Sequence, residues 1–263
     1  MNSPAEIAKL YSAAGAAKAK LPFAKMFILA MFAGAFIALG ALGSAIASCG
    51  VPIAAAARLL SAVIFPVGLV MVVVAGSELF TGNCLIIISV LDKKATVQGF
   101  IRNLVIVWIG NFVGAMIIVL LATYGHVYSL YGGALAQSTV STAVAKVNLS
   151  FTDGFFKGIL CNIMVCIAVW MSFAPKQISG KILAAFLPIV VFVLCGFEHC
   201  VANFYFIPAG IFASMEYGIP AEGLNWGTFL LKNELPVTLG NIVGGSVFVG
   251  LGYWAVYLKG TKE

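Results

Sequence analysis

The amino-acid sequence predicts an all-α integral membrane protein. Six transmembrane helices form two inverted three-helix repeats, with spans 2 and 5 broken. Three observations predict this. Of 263 residues, 62% are hydrophobic and only 9% charged, against about 25% charged in a soluble domain, so the chain cannot coat itself with polar side chains. Two of its apolar runs are too long for one crossing. The polar stretches that interrupt them, GSELFTGN (76–83) and GFEHCVAN (196–203), share the pattern G-x-E-x-x-x-x-N.

The chain opens with SPAE (3–6). Ser3 as N-cap, Pro4 at the first helical position and Glu6 three residues on form a capping box. An amphipathic helix follows to about Lys20, with Ile7, Leu10, Tyr11 and Ala14 towards the membrane and the lysines towards water. The first apolar run, 26–47, ends near IASC (46–49), which resembles a lipoprotein cleavage site. Some 25 residues precede the run, and it exceeds the roughly 7–15 residues of a signal-peptide core, so it reads as span 1.

Further apolar runs cover 59–91, 104–123, 155–174, 182–215 and 235–258. A span needs about 20 residues, yet the second run offers 33 before Asp92 and the fifth 34 between Lys181 and Glu216. Breaks at GSELFTGN and GFEHCVAN divide each into two short helices. The following spans match as well: NLVIVWIGNFVGA (103–115) aligns without a gap with NELPVTLGNIVGG (233–245), sharing six identities, a GN pair and a GxxxG. Three spans per copy is an odd number, so the copies are inverted, and broken helices at matching places point to a substrate path at the midplane. The whole chain, 1–263, is thus one domain. It comprises an amphipathic helix (1–24), a first repeat (25–123), a connection (124–154) and a second repeat (155–258).

Charge orients the chain. With the termini on one side, that side holds Lys9, Lys18, Lys20, Lys25, Lys93, Lys94, Arg102, Lys176, Lys181, Lys259 and Lys262. The other holds Arg58, Lys146, Lys157 and Lys232. Eleven against four places both termini in the cytoplasm of a multi-pass protein of the inner (cytoplasmic) membrane. The net charge of +6 is therefore an orientation signal rather than a nucleic-acid footprint. Five of the six cysteines lie in apolar runs, and the pairs Cys161/Cys166 and Cys195/Cys200 lack CxxC spacing. With only two histidines, neither a metal site nor another cofactor is expected.

Five stretches carry a resemblance: AGSELFTGN (75–83), RNLVIVWIGN (102–111), KGILCNIMVCIAVW (157–170), GFEHCVANFYFIPAG (196–210) and LPVTLGNIVGG (235–245). Together they resemble the formate/nitrite transporter family across all six spans. The resemblance implies an aquaporin-like protomer in a homopentamer embedded in lipid. Each protomer would have its own pore for a small monovalent anion such as formate, nitrite or hydrosulfide. Lactate-type monocarboxylate permeation in the same fold is the alternative. An enzyme is not expected.

Site residues follow. His199, the only histidine inside the apolar body, corresponds to the family's central pore histidine, a hydrogen-bond donor and candidate proton donor. Taken alone, a lone buried histidine is an ordinary core residue. Thr81, in the other break, is placed by the family beside that histidine, and Asn162 in span 4 meets the pore or the first break. By matching motif, Phe65, Leu69 and Leu79 narrow the cytoplasmic side, and Phe80, Val165 and Phe192 the outer side. Ordinary apolar packing is the competing reading of each. Glu78 and Glu198 either face the pore or support the breaks by accepting backbone N–H groups. Fixed negative charge would repel an anion, which favours support, with Asn83 and Asn203 beside them. Lys146, in a stretch (134–146) that forms a helix over the pore mouth, gathers anions from the outer side; His126 is solvated.

Two other classes are set aside. An intramembrane serine protease needs a Ser–His pair, typically with GxSG, and a water or glycerol channel needs paired NPA motifs. The sequence holds neither motif.

Overall fold

The computed structural model describes residues 1–260; Lys262, counted above with the basic residues of the terminal side, lies outside them. Among the described residues the chain is helical with no strand, and six of its helices are long and apolar enough to cross a membrane. We number ten helices. The first half holds α1 (Pro4–Ala19), α2 (Phe23–Ser48), α3 (Ala54–Gly76), α4 (Phe80–Leu91) and α5 (Val97–Tyr124). The second holds α6 (Ala134–Val147), α7 (Phe151–Met171), α8 (Ile178–Cys195), α9 (Cys200–Tyr217) and α10 (Trp226–Tyr257). The six spans are α2, the α3–α4 pair, α5, α7, the α8–α9 pair and α10.

Both long runs are broken where expected. Pro66 removes a donor inside α3, and the helix widens into a π turn over Val72–Gly76 before ending at Gly76, φ +81°. Extended Ser77 and Leu79 then carry the chain to α4. In the second half α8 ends at Gly196, φ +69°, and an extended His199 caps α9. A glycine at each stop supplies the left-handed backbone that side chains disfavour.

Each half closes around its GxxxG. Backbone O of Met31 in α2 lies against Gly114 of α5, and that of Ile159 in α7 against Gly244 of α10, with no room for a Cβ at either glycine. Such close approach lets dispersion and backbone contacts hold helices together where lipid offers no hydrophobic drive. The two halves interlock, because α9 packs against α2 and α5, and α4 against α7 and α10. The outer faces keep Leu59, Val105, Leu121, Leu187, Leu231 and Phe248 exposed. In a membrane-spanning body these meet lipid tails at no cost.

Helix α1 departs from the sequence reading. Its capping box is present, Ser3 N–H to Glu6 Oε2 at 2.6 Å and Glu6 N–H to Ser3 Oγ at 3.3 Å. Yet Ile7 and Tyr11 are buried in protein rather than lipid, Leu10 stays exposed, and Lys18 points inward. Tyr11 Oη donates to Gly82 O at 3.0 Å and its ring meets Phe173 edge-on. Ser12 donates to Asp92 at 2.5 Å, and Ser89 Oγ to Ser12 O at 2.8 Å. The helix docks because the carbonyls and small side chains of the α4 end offer it partners that a membrane surface does not.

Candidate functional site

The breaks bring His199 and Thr81 together. Thr81 sits in the first turn of α4 and His199 at the N-cap of α9, so two half-helices present their N-terminal ends to one another. His199 Nε2 and Thr81 Oγ1 are 2.9 Å apart, both side chains buried. Ala202 N–H donates to His199 Nδ1 at 3.1 Å. Nδ1 is therefore an acceptor, and the neutral ring carries its proton on Nε2, aimed at Thr81.

Around this pair the two halves use one wiring diagram. Lys18 Nζ donates to Glu78 at 2.7 Å and to Asn83 Oδ1 at 3.2 Å; Lys146 Nζ holds both oxygens of Glu198, at 2.9 and 3.0 Å. Asn83 Nδ2 donates to Glu78 and Asn103, as Asn203 Nδ2 does to Glu198 and Asn233. Asn103 then donates to Lys18 O, and Asn233 to Lys146 O. At the breaks, Asn111 Oδ1 accepts Phe80 N–H at 2.9 Å and its amide donates to Ala30 O and Glu78 O. Asn241 does the same with Cys200 N–H, Gly158 O and Glu198 O. Backbone N–H groups of Glu78 and Glu198 go to Leu29 O and Lys157 O.

Several expectations are corrected by this geometry. Glu78 and Glu198 stand at the breaks but accept from lysine and asparagine side chains rather than from backbone; the N–H groups of Phe80 and Cys200 go to Asn111 and Asn241. Lys146 is committed to Glu198, since a buried carboxylate needs a cation beside it. Asn162 reaches the first break, donating to Thr81 O at 3.2 Å and Asn241 O at 2.7 Å. Phe80 is buried beside Thr81 at the start of α4, its backbone N–H held by Asn111 Oδ1.

Two cavities trace the passage. The larger, about 600 Å³, opens on the side away from the termini and is lined by Ser44, Arg58, Ser61, Lys146, Lys157 and Glu198, narrowing at Phe65, Phe192 and His199. A second, about 10 Å³, lies beyond and is walled by Ile37, Phe65, Leu69, Leu79, Val165, Ile189, Phe192 and His199. It has room for about one water. Phe65 and Phe192 meet edge-on, ring centroids 5.4 Å apart. Phe65 thus borders both cavities, against Phe192 at the narrowing of the vestibule and with Leu69 around the small void. Leu79 and Val165, expected on opposite sides, wall the same small space.

Sequence reasoning missed the asparagine pairs 103/233 and 111/241, although the aligned segments displayed both, and Lys18, which looked like one more solvated lysine. It also passed over Glu234, buried where the first half has Leu104, with Oε1 lacking a hydrogen-bond partner and Thr238 Oγ1 donating to Oε2 at 3.3 Å. Among the described residues no cluster of three or more metal-ligating side chains occurs.

Comparison with known proteins gives the same picture. The family model described as formate/nitrite transporter matches residues 5–255. A probable formate transporter of Methanothermobacter thermautotrophicus is 42% identical, covering 98% of this chain and 97% of that protein. The formate channel FocA of Escherichia coli (strain K12) is 37% identical over 97% of this chain and 94% of its own. A solved pentameric formate channel with formate bound superposes with TM-score 0.80 at 34% identity, over 90% of this chain and 98% of that one. A solved ion channel of the FNT family gives TM-score 0.84 at 32% identity, over 95% and 98%. With its inverted breaks, its six spans and a match over nearly its whole length, this chain belongs to the formate/nitrite transporter family and is a multi-pass membrane transport protein, not an enzyme.

Proposed function

We propose that the chain is a selective channel for small monovalent anions of weak acids, with formate as its first candidate cargo and nitrite and hydrosulfide in the same class. It acts as a pentamer in the cytoplasmic membrane, each protomer with its own passage and both termini in the cytoplasm. Native mass spectrometry counts the copies of the 27.6 kDa chain. The formate channels among its relatives support the cargo class. The observation that carries the reading is the Thr81–His199 pair at 2.9 Å, whose histidine borders both cavities.

The physics is consistent with an anion that changes form on the way. Two half-helix N-termini face the centre and favour negative charge there. Glu78 and Glu198 do not cancel that field, because Lys18 and Lys146 neutralise them. Apolar rings lie on the way, and dehydrating an ion in them costs far more than dehydrating its neutral acid. The anion reaches the centre from the vestibule, accepts a hydrogen bond from His199 Nε2–H or the Thr81 hydroxyl, takes a proton drawn from the vestibule water, directly or by way of the imidazole, and crosses the apolar walls as the acid HX. Replacing His199 by Phe removes the polar donor. Proton-linked formate flux into liposomes is expected to fall to background in His199→Phe, and unchanged flux sinks the proposal.

A further inference from the structure

Arg58 has no place in the scheme so far. It lies on α3 in the large cavity, and among the described residues it makes no hydrogen bond or ion pair, whereas Lys146 in the same cavity is held by Glu198. Its guanidinium rests against Gly196, the left-handed stop of α8. A Cβ there would stand 3.3 Å from Nη1 and 3.7 Å from Nη2. The same glycine that ends the helix thus leaves room for the guanidinium at the wall of the vestibule.

The sequence of α3 places Arg58 at the head of a stripe. Arg58, Ser61 and Phe65 line the large cavity, and Phe65 and Leu69 line the small one. Spacings of three and four residues put all four on one helix face. At 1.5 Å per residue, Arg58 stands about 10 Å along the axis from Phe65. A cation, a hydroxyl, an aromatic narrowing and the central void therefore follow one another along one helix. The second half has no equivalent: the spacing of 120 that relates Glu78 to Glu198 relates Arg58 to Ile178. The device belongs to the side away from the termini.

We propose that Arg58 forms a capture subsite for planar anions with two oxygens on one atom, ahead of the Phe65–Phe192 narrowing. A guanidinium presents two parallel N–H donors that match a carboxylate or nitrite in bidentate fashion, which an ammonium does not reproduce. A monatomic or single-centre anion such as chloride or hydrosulfide gains only the charge. The subsite would therefore select formate and nitrite over hydrosulfide before either meets His199. It rests on the anion-channel reading above.

The test uses the full-length protein in liposomes of known orientation, comparing the wild type with Arg58→Lys and Arg58→Gln. Initial rates are taken against concentration for formate, nitrite and hydrosulfide, added at either face. Arg58→Lys keeps the charge and loses the fork. It is expected to raise the half-saturating formate and nitrite concentrations about fivefold or more, from the face opposite the termini alone, with hydrosulfide changed less than twofold. Arg58→Gln loses charge as well and is expected to weaken all three, formate and nitrite most. Unchanged formate saturation in Arg58→Lys overturns the subsite while leaving the channel intact, and so does an equal shift for hydrosulfide. A wild type that moves none of these ions overturns both readings.

Discussion

Asn111 and Asn241 show how much one buried amide carries at a break. Each accepts one N–H and donates to two carbonyls, at 2.7–3.0 Å, so each satisfies two backbone groups at the break that no helix can and ties them to a carbonyl of a neighbouring span. Leucine has almost the same shape and none of those bonds. Asn241→Leu is expected to lower stability by about 3 kcal/mol or more, since unpaired buried groups cost roughly 1–3 kcal/mol each, and thermal unfolding in detergent reads the loss. A midpoint equal to that of the wild type would show that the break is held elsewhere. The two asparagines were visible in the sequence as the repeated GN pair, and Glu78 and Glu198 as a repeated motif, because a duplicated polar residue in an apolar run advertises itself. That Phe65 borders both cavities was not legible, since its reach depends on which way the kink at Pro66 turns α3.

At the scale of elements, α1 and α6 are the surprise. In sequence α1 reads as a separate surface helix and α6 as part of the connection, since the two share little beyond length. The structure gives them one task, delivering a lysine to a buried carboxylate from opposite faces. What pairs them is the position of one side chain, which a comparison of apolar patterns does not register. The docking of α1 has its own pH dependence. Burial acts to raise Asp92, but its hydrogen bond from Ser12 and the neighbouring Lys94 outweigh burial and hold its carboxyl below the ordinary value. A carboxyl lowered in the docked state supports docking fully above the ordinary carboxylate range, and that support is lost as pH falls through the lowered value. Hydrogen exchange in α1 is therefore expected to be insensitive to Asp92 from pH 7 down to about pH 4 and to quicken below. Asp92→Asn should abolish that acid step. A step between pH 5 and 7 that disappears in Asp92→Asn would contradict this account.

Seen as one molecule, the protein is two interlocked halves whose polar contacts correspond pair by pair. The six spans and their inversion were legible because lipid demands long apolar runs and odd repeats force inversion. The neutrality of each break was not, because it depends on Lys18 and Lys146 reaching in from helices outside the spans. Removing either lysine leaves a buried carboxylate alone, a cost of about 3 kcal/mol or more. Lys18→Met and Lys146→Met are thus expected to destabilise to similar extents, and Glu78→Gln or Glu198→Gln in the same half to restore part of the loss. Recovery by the glutamine of the opposite half instead would break the correspondence. That comparison is made by thermal unfolding of the four double variants.

The bond from Ala202 N–H to His199 Nδ1 sets a clock on the channel. Imidazolium has no acceptor nitrogen, so a cycle in which the ring takes a second proton must first release the cap of α9. Release of that bond is then a step in every turnover and sets its own upper limit on the rate. A passage in which the ring lends only a hydrogen bond leaves the cap in place and is free of that ceiling. Throughput, measured on single protomers, therefore distinguishes an ion that is handed a proton by the ring from one that arrives with its own.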